Sequence, residues 1–314
     1  MPTTHPPGYD WAAYLDALVS EHGTLTALAE TLAPATPAST ERALRRLRAR
    51  GTRDGGQWGQ RLLRRFGLPG EVLRRLAWMG AYHSRFTDLP VAVCADLIRA
   101  WDHPPVTTAP EARVWLALAR ASVAQRAYDT AAMAAATAEA RRDEAHAPPE
   151  ARIERRLADD FVASKARQRE LTLLDEVEGA LPLVTDADTA AVLRARWVDH
   201  HAFRRNADGD HAGAEALYHS LPETGPPFAR ARRCNGLAYA AWRSGRADEA
   251  LAHAAAAARH AGDGGHVRLR AMALLMVLRV RPGDPDAASR VAAMAELLDD
   301  ETLRVRLARA RRAG

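Results

Sequence analysis

The chain has 314 residues, 47% of them apolar and 26% charged, which excludes a mostly disordered or collagen-like polymer. No uncharged apolar run reaches the ~18 residues of a membrane span, and the Pro-rich start MPTTHPPGYDWAAY has no basic segment followed by an apolar one. The expectation is a cytoplasmic protein with no export signal and no membrane association. Two cysteines, Cys94 and Cys234, are too few for a disulfide framework and lack zinc-finger spacing. The net charge is +5, and Lys165 is the single lysine. With arginine as the general cation, only its placement carries information.

In chain order, residues 1–8 read as a disordered tail. Tyr9 to His22 reads as a first helix with Trp11, Leu15 and Leu18 on one face, ended by Gly23. TLTALAETL makes a second helix capped by Thr24; APATPAS is a turn, and Ser39 and Thr40 offer caps for ERALRRLRARG, closed by Gly51. This order, over residues 24–53, resembles a helix-turn-helix DNA-binding unit, in which the last helix enters the major groove. Leu44 and Leu47 are then expected in the core. Arg42, Arg45, Arg46, Arg50 and Arg53 face outward as candidate nucleic-acid contacts, toward phosphates or guanine edges. A three-helix cap with a solvated arginine face uses the same pattern.

GGQWGQRLLRRFGLP, EVLRRLAWMGAYHSRF and LPVAVCADLIRAWD read as three further helices. Their aromatics, Trp58, Phe66, Trp78, Tyr82, Phe86 and Trp101, read as core anchors. The paired prolines of DHPPVTTAP close an N-terminal helical domain over residues 9–103. Chemistry is thin. His83, Asp88, Cys94 and Asp96 are close in sequence, but Cys94 sits in an apolar run that suits an inert thiol. Asp199, His200, His201 and His211 suggest a metal, yet adjacent helical histidines point ~100° apart. RDGGQWGQ follows a helix, unlike a phosphate loop. No catalytic residue, metal or cofactor is expected, and the chain is not read as an enzyme.

From Pro110 onward, helices come in pairs between short breakers. Trp115, Leu118, Ala119, Tyr128, Ala131 and Ala138 recur as Cys234, Leu237, Ala238, Ala247, Ala250 and Ala257, and the turn SGRADEAL separates the second pair. Ala202, Gly209 and Ala214 follow the frame, with His201 where leucine is expected. Gly283, Ala288 and Ala295 follow it after the helix at Leu275. A fifth copy supplies Leu157, Ala158 and Phe161, has Arg167 near its turn and lacks the glycine. The pattern resembles the tetratricopeptide repeat, with ETLRVRLARARR as a capping helix. The fold class is therefore all-α: a right-handed superhelix of about five such pairs over residues 110–314, preceded by the N-terminal helical domain.

The resemblance implies that the first helix of each pair lines a concave groove for a peptide or partner helix. In that frame Arg113, Arg152, Arg196, Arg232 and Arg270 recur along one edge. Asp199, Phe203, Asn206, Asn235, Tyr239 and Arg243 lie beside them, as does Arg120. Such forks favour an acidic ligand. The function expected is non-catalytic capture of an acidic protein or peptide in the groove, anchored by Tyr239, Phe203 and Trp242. The alternatives are a DNA-binding regulator with the repeats as sensor, and an accessory subunit of a nucleic-acid-binding complex.

Overall fold

The computed structural model describes residues 11–49, 56–104, 106–166 and 172–312. Among them every long element is an α-helix and no strand occurs. The expected tail (1–8), Arg50, Gly51, Arg53 and Arg167 lie outside the described residues.

The N-terminal part holds α1 (Trp11–His22), α2 (Leu25–Leu32), α3 (Pro37–Ala49), α4 (Gly56–Phe66), α5 (Gly70–Gly80) and α6 (Val91–Trp101). The hydroxyl of Thr24 caps α2 by accepting from the Ala27 N–H at 3.1 Å. α3 starts earlier than the sequence suggests, because Pro37 suits a first helical turn. Thr40 is therefore a buried mid-helix residue rather than a cap, and the connection to α2 is four residues, 33–36. The segment EVLRRLAWMGAYHSRF is not one helix. α5 stops at Gly80, Ala81 is extended, and a 3₁₀ turn over Arg85–Asp88 follows. Gly80 stands where a Cβ would lie 2.6 Å from the Trp115 ring and 2.7 Å from its carbonyl oxygen, so only glycine permits this approach.

Beyond it come α7 (Pro110–Arg126), α8 (Thr130–Arg142), α9 (Pro149–Lys165), α10 (Thr172–Ala180), α11 (Ala187–Ala207), α12 (His211–His219), α13 (Pro227–Arg243), α14 (Ala247–Asp263), α15 (Val267–Val280), α16 (Pro285–Leu298) and α17 (Glu301–Arg312). Each packs on the next, and α7, α9, α11, α13, α15 and α17 also pack successively on one another. Asp129, Asp186, Asp210 and Asp284 cap α8, α11, α12 and α16, each accepting a backbone N–H at 2.8–2.9 Å. Before the helix starts of α12 and α14, Gly209 and Gly245 have φ of +85° and +75°, the left-handed region that glycine enters without strain. Tyr128 holds the same place before Asp129 with φ +62°.

One hydrophobic cluster runs from Trp11, Leu15 and Leu44 through Phe86 to Trp115, Leu116 and Ala151. The row of odd-numbered helices curls until its last member meets its first, α17 packing on α7. The Thr302 hydroxyl donates to the Gln125 carbonyl at 2.5 Å, and Arg126 donates to the Leu298 carbonyl at 2.7 Å. The N-terminal part closes the same joint: Asp88 accepts from the Arg268 N–H at 2.8 Å, and Arg85 donates to the Gly264 carbonyl at 3.2 Å.

Candidate functional site

Because α5 ends at Gly80, Tyr82 falls on a loop and enters the space enclosed by the odd-numbered helices. There it borders a cavity of about 130 Å³. α7 contributes Leu118 and Gln125 to the walls, and α9 contributes Glu154 and Phe161. α11 gives Arg196, Asp199 and His200, α13 gives Arg232, α15 gives Arg268 and Met272, and α17 gives Arg306.

Three guanidinium groups surround the Tyr82 ring, with centroid distances of 4.5 Å for Arg196, 5.5 Å for Arg268 and 5.7 Å for Arg232. The hydroxyl accepts from Arg268 and, at 3.5 Å, from Arg232. Burial alone raises the phenol, but Arg268, Arg232, Arg196 and Arg306 outweigh it and bring it down to about 7. The Tyr82 N–H donates to Glu154 Oε1 at 3.2 Å, and His83 Nδ1 lies 3.3 Å from the same atom. Glu154 is only 3% exposed. Burial raises its carboxyl, yet Arg196, with which it pairs, and His83 hold it below the usual carboxylate range.

The remaining pairs are equally local. Arg232 meets Asp199 at 2.9 Å. Arg268 meets Asp300 at 2.7 Å, and Arg126 approaches the same carboxylate at 3.5 Å. Asp160 accepts from Arg204 and lies 2.6 Å from His200 Nδ1. Burial tends to raise Asp160, but His200 and Arg204 keep it low.

The structure divides the arginine edge read from the sequence. Arg196, Arg232 and Asp199 line the cavity. Arg113 is tied to Asp143 at 2.7 Å, Arg152 to the Ala147 carbonyl at 2.8 Å, and Arg120 to Asp102 and Glu139, away from that space. Arg270 is exposed, and Arg268 takes the cavity position. Arg196, Arg232 and Arg268 stand at equal intervals of 36 residues, a signal present in the sequence that the frame ending on Arg270 passes over. Arg306 and Tyr82 were also missed. Arg306 sits in the segment read as a polar cap, and Tyr82 in one read as continuous helix.

Outside the cavity lining lies an aromatic strip on α13, where the half-buried Tyr239 and Trp242 have ring centroids 5.5 Å apart with Arg279 over both, while Phe203 on α11 and Arg243 on α13 are exposed. Phe203 is 60% exposed. The Arg279 guanidinium lies 5.4 Å from the Tyr239 ring centroid and 5.6 Å from that of Trp242. Its charge also bears on Arg306. Arg243 donates to His211, whose other ring nitrogen contacts Asn206. Neither Arg243 nor Arg279 has a carboxylate partner among the described residues. Asn235 has a buried side-chain oxygen without a hydrogen-bond partner.

At the other end of the chain, Leu44 and Leu47 are buried while Arg42, Arg45 and Arg46 are exposed. Arg45 pairs with Glu41, and Arg48 with Asp16. Arg42 and Arg46 have no ion pair among the described residues.

The residues considered for catalysis or metal do not gather. Cys94 is buried and contacts the Phe86 carbonyl and Arg126, and burial raises its thiol. His83 turns to Glu154, and His201 lies against Trp197. Among the described residues no group of three His, Cys, Asp or Glu is placed to hold a metal ion, and no helix is long and apolar enough to cross a membrane. No family model, curated protein or solved structure matches this chain.

Proposed function

We propose that this chain is a non-catalytic binding protein, tetratricopeptide-like in organisation and superhelical in its array, that captures an acidic protein segment on the strip of Phe203, Tyr239, Trp242, Arg243 and Arg279. The observation that carries the reading is the position of Arg279 over the Tyr239 and Trp242 rings with no carboxylate partner among the described residues. Aromatic and arginine side chains concentrate binding energy at interfaces, and unneutralised guanidinium groups favour carboxylates. Inside the cavity Arg196, Arg232 and Arg268 each have a carboxylate partner, whereas Arg243 and Arg279 have none among the described residues, so the partner segment is met by the strip.

Trp242 supplies the assay. The part of the tryptophan fluorescence change that Trp242→Phe abolishes is followed while an acidic peptide carrying one phenylalanine, and a neutral counterpart, are titrated in. The acidic peptide is expected to bind, and Arg279→Glu to weaken it at least tenfold. Equal binding of both peptides, or of wild type and variant, discards the reading.

A second reading has its own support. The four-residue connection between α2 and α3 fits a helix-turn-helix, and α3 turns Leu44 and Leu47 inward and Arg42, Arg45 and Arg46 outward. On this reading α3 contacts duplex DNA and the helix pairs are the sensing part.

A further inference from the structure

Around the central cavity the charges do not balance. Four guanidinium groups, from Arg196, Arg232, Arg268 and Arg306, line it, and three carboxylates pair with them. Glu154 takes Arg196, Asp199 takes Arg232, and Asp300 is shared by Arg126 and Arg268. His200, the other cationic candidate on the wall, is engaged with Asp160, as is Arg204. Arg306 donates to the Met272 sulfur at 2.8 Å and has no carboxylate among the described residues. Its burial, reinforced by Arg268, pushes it down to about 10, so it still enters neutral solution as a cation. Arg232 Nε is buried without an acceptor. A fold that keeps Arg306 without a carboxylate beside an open volume bears a desolvation cost that an entering anion would offset.

We propose that this cavity is a binding site for a small phosphate dianion, free or as the monoester of a small molecule, held by Arg306, Arg268 and Arg232 beside the Tyr82 hydroxyl. Arg306 is the cation left without a carboxylate, a bound phosphate can replace the Tyr82 phenolate as its counter-charge, and guanidinium forks suit the phosphate oxygens. A volume of about 130 Å³ equals roughly four waters at ~30 Å³ each. That accommodates an oxyanion. The site lies deeper than the aromatic strip and needs no protein partner, so it stands or falls independently of the partner reading.

The test uses the whole protein at pH 8, titrated with inorganic phosphate, with glycerol 3-phosphate, and with potassium chloride at matched ionic strength. Phosphate is expected to raise the melting temperature above the chloride control. It is also expected to lower tyrosinate absorbance at 295 nm, because a bound dianion disfavours the Tyr82 phenolate. Tyr82→Phe removes the absorbance change. Arg306→Met removes one excess cation and is expected to weaken phosphate at least tenfold, while its unliganded melting temperature stays level or rises. Arg306→Gln serves the same purpose should the methionine variant fold poorly. A stronger response to the monoester assigns the site to a phosphorylated small molecule, and an equal or weaker one to the free ion. Equal responses to phosphate and chloride, or undiminished phosphate affinity in both Arg306 variants, overturn the proposal.

Discussion

Tyr82 shows how far a single side chain can be redirected by its neighbours. Arg196, Arg232, Arg268 and Arg306 approach it from four different helices, with Glu154 and His83 at its backbone. Its phenol stands at about 7 in the folded protein against 10.0 in the free side chain. Since the folded value is the lower, stability from this group is complete above pH 10 and is lost as pH falls through 7. Denaturant titrations between pH 7.5 and 9 should therefore show stability rising with pH by up to about 1.4 kcal/mol per unit. Tyr82→Phe should flatten that rise, and an unchanged slope would reject the electrostatic account. Tyr128 is the second instructive residue. It occupies the left-handed position that Gly209 and Gly245 fill elsewhere, at a backbone cost of about 1–2 kcal/mol. Its hydroxyl accepts from Arg309 at 2.9 Å. Urea denaturation of Tyr128→Gly in an Arg309→Ala background should show a stability gain of up to about 1 kcal/mol, because the strain goes and only the approach of Lys165 to the ring is given up. In the wild-type background the gain should be smaller.

At the scale of helices, the sequence carried the element type and most boundaries. Apolar residues three and four apart placed nearly every helix, and Asp and Gly at the breakers marked the starts. Two boundaries escaped because their causes are tertiary. Gly80 ends α5 against Trp115, a contact invisible in the local sequence, and that ending is what frees Tyr82. The start of α15 set the arginine frame two positions off, selecting exposed Arg270 over Arg268. Arg196 and Arg232 were legible because each stands two residues before the slot that the sequence frame reads as large, whereas Arg306 falls outside that frame. Gly80→Ala is expected to cost about 1–3 kcal/mol by thermal or chemical denaturation, since the added Cβ meets the Trp115 backbone as well as its ring. A neutral result would mean that α5 and α7 slide apart freely. For α3, the DNA reading predicts a steep salt dependence of duplex binding by fluorescence anisotropy. Arg42→Ala and Arg46→Ala should each reduce the log–log slope by about one. No binding at low salt removes that reading.

For the molecule as a whole, the decisive joint is Asp300. It is fully buried, caps α17 through the Leu303 N–H at 3.0 Å, and is shared as an ion partner by Arg126 and Arg268. Asp300→Asn keeps a capping oxygen but strands two buried cations. A loss of about 3–5 kcal/mol is expected in equilibrium unfolding, and a loss under 1 kcal/mol would show that the joint is dispensable. The contact of α17 with α7 has a broader meaning. In open stacks of helix pairs each unit touches only its neighbours, so terminal units fray and whole units are gained or lost with nearly additive effects. Here a pair cannot be inserted or deleted without pulling Thr302 from Gln125 and Arg126 from Leu298. A change in the number of pairs would open the joint of α7 with α17, and melting of these helices is expected to begin there rather than at a free last helix.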